Sequence, residues 1–141
     1  MPTLPAPNLP SKSIMVIDDN FDMLHLGRVV LEMEGFRVIT ASSGTQALDI
    51  LSKIQEPNLV LLDMKMSDMS GHEFLKRLEI QAPTILDGMP VVFYSGMESV
   101  PDSRASGFIR KAGDIKSFIA SVHGFIGRAS PIEALSNLAL E

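Results

Sequence analysis

Four short apolar runs, each closing on a polar side chain, set what this chain can fold into. Ile14-Met15-Val16-Ile17 runs into Asp18-Asp19, Leu59-Val60-Leu61-Leu62 into Asp63, Val91-Val92-Phe93-Tyr94 into Ser95, and the shorter Phe108-Ile109-Arg110 into Lys111. Runs that are apolar at almost every position fit strands buried on both faces, as in a parallel sheet covered by helices. Phe36 to Thr40 reads as a further strand, second in chain order.

Helical periods separate the strands. Leu26, Val29, Val30 and Met33 fall at i, i+3, i+4, i+7, and Gly35 stands where a left-handed residue would end the helix. Ser43 with Gln46 forms a possible capping box ahead of Ala47, Ile50, Leu51 and Ile54, and Ser70 with Glu73 does the same ahead of Phe74, Leu75 and Leu78. Asp114 is placed to cap a last helix with the stripe Ile115, Phe118, Ile119, Val122 and Ile126. The order predicts a doubly wound α/β fold with a five-stranded parallel sheet. Only fifteen residues separate Ser95 from Lys111, and they must include the fifth strand. A crossover between parallel strands takes at least about 10 to 12 residues, so the fourth helix is expected to be shortened or missing.

Composition narrows the function classes. With 12 basic against 17 acidic residues and a net charge of −5, no basic stripe marks direct nucleic-acid binding. Cysteine is absent, which removes thiolate metal sites and cysteine nucleophiles. The apolar runs fall far short of a membrane span, which needs about 18 residues. The start of the chain does not read as a signal peptide, and a cytoplasmic location is the expectation. Four prolines among the first ten residues suggest a Pro-rich disordered tail over 1–11; 12–127 is expected to be the domain, and 128–141 a C-terminal tail or short helix.

Asp18, Asp19, Asp63, Ser95 and Lys111 all fall at or just past strand carboxyl ends, which share one edge of an open parallel sheet and form its ligand crevice. Three carboxylates there repel one another unless a cation or raised pKa values relieve them. Oxygen donors suit a hard ion such as Mg2+. A lysine and a hydroxyl beside it suit a phosphoryl oxygen, so the set points to phosphoryl transfer.

These blocks resemble the receiver domain of two-component response regulators. The likeness spans about residues 13–127 and rests on Ile14 to Asp19, on Leu59 to Gly71 with its Asp63-Met64-Lys65-Met66-Ser67-Asp68-Met69-Ser70 core, on Val91 to Gly96 and on Gly107 to Ala112. It implies that Asp63 accepts a phosphoryl group from a phosphohistidine of a sensor histidine kinase or histidine phosphotransfer protein. Asp18, Asp19, Asp63 and the Lys65 carbonyl would hold Mg2+, and Lys111 would offset the phosphoryl charge. Ser95 would hydrogen-bond a phosphoryl oxygen, Phe108 would be the switch aromatic, and the changed conformation would bind a downstream protein. Such a domain is a phosphoacceptor and not an enzyme in the ordinary sense, a monomer or weak homodimer.

Several positions depart from the family pattern. Ala112 follows Lys111 where proline is usual, so a trans bond is expected there, with Lys111 somewhat repositioned. Ser67 also replaces a common proline, which should loosen its loop slightly. Lys65 and Met97 occupy the positions that tune phosphoryl lifetime, and they predict slow self-dephosphorylation. The alternatives are a receiver-like interaction module independent of phosphorylation, and a magnesium-dependent phosphatase using Asp63. The phosphatase would want a second acid where Lys65 stands.

Overall fold

A computed structural model of the chain describes residues 11–96, 105–111 and 114–126. Five strands, β1 (Ser13–Ile17), β2 (Arg37–Ala41), β3 (Leu59–Leu62), β4 (Val91–Ser95) and β5 (Gly107–Arg110), form one parallel sheet in the order β2-β1-β3-β4-β5. Four main helices cover it, α1 (Phe21–Met33), α2 (Gly44–Leu51), α3 (Gly71–Gln81) and α5 (Ile115–Ile126), with a single turn α4 (Ile85–Gly88) before β4. This is the predicted doubly wound architecture.

Because successive strand residues point to opposite faces, the apolar runs feed two cores at once. Met15, Ile17, Val60, Leu62, Val91 and Phe93 pack with α2, α3 and α4. Ile14, Val16, Leu59, Leu61 and Val92 pack with α1 and α5. The helix signals were legible in detail. Ser43 and Ser70 accept the Gln46 and Glu73 backbone N–H groups, Asp114 accepts that of Ser117, and Gly35 has φ +92°.

Two readings change. Of the stripe expected to bury α1, only Val30 does so: Leu26, Val29 and Met33 are exposed, and Val30 faces the sheet with Leu24, Gly27 and Leu31. Apolar residues run nearly all round this helix, so periodicity alone does not select a face. Gly27 does, since a Cβ there would already touch the Val16 methyls at 3.8 Å. α2 also ends at Leu51, which leaves Ile54 beyond it. The short turn α4 was not foreseen, because four residues carry no period; Ile85 and Met89 nevertheless bury there. The shortened fourth helix expected between Ser95 and Lys111, with Met97, lies largely outside the described residues, as do the Lys111–Ala112 bond and the segments 1–10 and 127–141. Among the described residues, no helix is long and apolar enough to cross a membrane.

Candidate functional site

The sheet ladder itself places the site residues. The Asp18 N–H donates to the Ala41 carbonyl at 3.1 Å and that of Asp63 to the Ile17 carbonyl at 3.0 Å, so both acids are the first residues past adjacent strands β1 and β3. Ser95 closes β4, and its carbonyl accepts the Lys111 N–H at 2.9 Å just past β5. Residues 93 positions apart in the chain therefore meet at one edge.

Asp18, Asp19 and Asp63 each offer an oxygen, and these atoms lie within 4.8 Å of one another. Three hard oxygen donors at that spacing fit a divalent cation such as Mg2+, which takes one or two carboxylates and keeps several waters. Lys111 Nζ lies 2.7 Å from Asp18 Oδ2 and 3.3 Å from Asp63 Oδ1. The ammonium also lies over the Tyr94 ring, 5.6 Å from its centroid, within reach of a cation–π contact.

Electrostatics follow from burial. Asp18 and Asp63 are buried, and the Asp63 carboxyl is held above its ordinary range by burial first and by the Asp18 charge second. Lys111 and the Lys65 N–H pull the other way without cancelling it. For Lys111, burial works against the charge, but the hydrogen bonds and charges of Asp18 and Asp63 outweigh it and raise its pKa. The net result is a carboxylate whose charge is disfavoured, beside a cation whose charge is secure.

Asp63, Lys65, Ser95 and Gly96 line an open pocket of about 270 Å³ at this edge. Lys65 is exposed and Ser95 buried, so the pocket is lined by an exposed cation and a buried hydroxyl. Phe108 is half-buried and pairs in register with Phe93, two residues before Ser95 on the same face of β4.

The loop after Asp63 is tied at three points. Lys65 and Ser70 form an antiparallel bridge at its base. Asp68 accepts from the Gly44 N–H, the Thr45 N–H and the Thr45 hydroxyl, which caps α2. Ser67 donates its N–H and its hydroxyl to Asp19 Oδ2 at 2.9 and 2.8 Å. Replacing a proline at 67 was expected to loosen this loop, but serine supplies two donors that proline lacks. Asn20 was also missed: its N–H bonds Asp18 Oδ1 and its side chain caps α1. An Asn directly before a helix is a cap signal that could have found it.

The comparisons with known proteins agree with this geometry. The family model of the response regulator receiver domain matches residues 14–123. The chain belongs to that family. This receiver domain is similar to the polar-differentiation response regulator DivK of Brucella ovis, 28% identical over 125 residues that cover 84% of the chain and 99% of DivK. It is 41% identical to the sporulation initiation phosphotransferase F of Bacillus subtilis over 70 residues, 50% of this chain and little more than half, 56%, of that protein. Among solved structures, a CheY-like receiver domain protein of Methanospirillum hungatei superposes with a TM-score of 0.71 at 26% identity, covering 82% of this chain and 94% of the other. Receiver domains of two-component signalling are generally signalling modules rather than enzymes.

Proposed function

We propose that this receiver accepts a phosphoryl group on Asp63 and relays that event as a change of shape. The observation that carries the proposal is the meeting of Lys111 with Asp63 and Asp18 at the edge where Asp19 and Ser95 also stand.

In the reaction, an Asp63 carboxylate oxygen attacks the phosphorus of a phosphohistidine. The P–N bond breaks, its electron pair stays on the imidazole, and an acyl phosphate forms on Asp63. Positioning and charge stabilisation are most of what such a transfer needs. Lys111 supplies a fixed positive charge to the incoming oxygens, and the Lys65 backbone N–H favours the charged form of the Asp63 carboxylate. A Mg2+ ion bound by Asp18, Asp19, Asp63 and the Lys65 carbonyl would add a second centre of positive charge for the transferring group.

Ser95 then donates its hydroxyl to a phosphoryl oxygen, and Phe108 moves inward beside Phe93, raising the population of a conformation with a different surface. The donor is a sensor histidine kinase or a histidine phosphotransfer protein, and the reader of the new surface is a downstream protein. The similarity to a protein named a sporulation phosphotransferase supports the relay reading. The domain is read as 12–127, in the cytoplasm. Lys65, with no acid at its position, favours a long-lived acyl phosphate.

Incubation with acetyl phosphate and MgCl2, followed by intact-mass analysis, tests the reading. Gain of one phosphoryl mass in the wild type, absent in Asp63→Ala, supports it. No adduct in either protein supports a phosphorylation-independent interaction module, and steady release of phosphate without an adduct supports a phosphatase.

A further inference from the structure

Asp19 is the least enclosed of the three carboxylates, and an open carboxylate swings among rotamers whose freedom must be given up when it ligates a cation. Here that freedom is already restricted. Both donors of Ser67 end on the same oxygen, Oδ2, from the backbone N–H at 2.9 Å and from Oγ at 2.8 Å. Two donors fixed on one residue are satisfied together in a narrow range of Asp19 orientations. Among the described residues, no hydrogen bond engages Oδ1.

Ser67 is itself held in place. The next residue, Asp68, is bonded to the first turn of α2 through Gly44 and Thr45, and the Lys65–Ser70 bridge closes the loop behind it. The donor pair is thus a fixture of the loop that also carries Asp63 at its start.

We propose that Ser67 is a positioning residue for cation binding: it clamps Asp19 Oδ2 and leaves Oδ1 oriented for the metal. This rests on the reading of the acidic edge as a cation site. Mutating a group that orients a metal's ligand typically costs about 10- to 100-fold in metal affinity or activity. A proline at this position, having neither N–H nor hydroxyl, would leave Asp19 unclamped, so the serine adds a control over this ligand that a proline-bearing loop lacks.

The test is a titration of the full chain with MgCl2 followed by amide chemical shifts, which reads binding without any phosphoryl transfer. Wild type, Ser67→Ala, Ser67→Pro, Ser67→Thr and Asp19→Asn are compared, with thermal melts to confirm folding. Ser67→Ala and Ser67→Pro should weaken Mg2+ binding on the order of 10-fold, with the proline variant the weaker of the two. Ser67→Thr, which keeps both donors, should bind within a factor of about two of the wild type. Adding Ser67→Ala to Asp19→Asn should change nothing further, because the serine acts through that carboxylate.

Wild-type affinity in folded Ser67→Ala and Ser67→Pro overturns the proposal, as does an equal further loss in the Asp19→Asn background. A wild type that binds no Mg2+ while Asp63 is still phosphorylated overturns it too, by removing the cation site without touching the phosphoacceptor. Normal Mg2+ binding with the expected Ser67 effects, but no phosphorylation, upholds the clamp and rejects the phosphoacceptor.

Discussion

Lys111 Nζ, at the end of β5, lies 2.7 Å from Asp18 Oδ2, at the end of β1, although β3 and β4 stand between their strands. The pair bridges the sheet edge, and the Asp18 side chain is only 3% exposed. Removing one partner of such a pair leaves a buried charge without compensation, at a cost of about 3 to 5 kcal/mol. Lys111→Met should therefore lower stability toward that range in EDTA, and saturating MgCl2 should recover part of the loss. Urea denaturation in both buffers checks this; equal stability of variant and wild type in EDTA would contradict it.

Asp63 behaves in the opposite sense. Its carboxyl sits above the ordinary range because of burial and the neighbouring Asp18 charge. A carboxylate whose folded pKa is raised disfavours the fold once the pH exceeds that value, and the penalty is absent below the unfolded value. Asp63→Asn should then be more stable than the wild type at pH 7 without divalent cations. The difference should shrink as the pH falls through the carboxylate range. A series of melts against pH reads both the sign and the convergence.

Gly71 opens α3 directly beneath the acceptor loop. A Cβ there would stand 2.7 Å from Phe93 Cε1 and 2.9 Å from the Asp63 carbonyl oxygen, and the latter is backbone. Overpacking of this kind costs about 1 to 3 kcal/mol. Gly71→Ala is expected to lose stability in that range and to slow phosphorylation by acetyl phosphate, because relief of the clash displaces Asp63. A variant with wild-type stability and rate would show that the loop yields freely.

Asp68 caps α2 from another element, and its pKa is lowered: slight burial opposes the charge, but the Thr45 and Gly44 donors outweigh it. Asp68→Ala should cost about 1 kcal/mol at neutral pH, the usual worth of a lost cap. Since the folded pKa is depressed, that contribution is present above the unfolded value and is lost as the pH falls through the folded one. Wild type and variant should converge in acid.

The strands and the acidic edge were legible because a parallel strand buried on both faces needs an unbroken apolar run, so its end is marked by the first charged residue, as at Asp18 and Asp63. Helix caps were legible for a similar reason, since Ser43, Ser70 and Asp114 satisfy donors of their own helices. What escaped depended on tertiary choice. Nothing in the spacing of Leu26, Val29 and Met33 says that Gly27 brings the opposite side of α1 against Val16. The Ser67 clamp on Asp19 and the Asp68 cap on α2 join residues 48 and 23 to 24 positions apart, and only the folded loop brings them together.

The central claim is that Asp63, and neither Asp18 nor Asp19, takes the phosphoryl group. Acyl phosphates on aspartate are reduced by borohydride to homoserine, which leaves a mark at the acceptor in peptide mass mapping. After treatment with acetyl phosphate and MgCl2, homoserine should stand at position 63 alone and disappear in Asp63→Ala. Homoserine at position 18 or 19 in the wild type, or none at 63, would contradict the account.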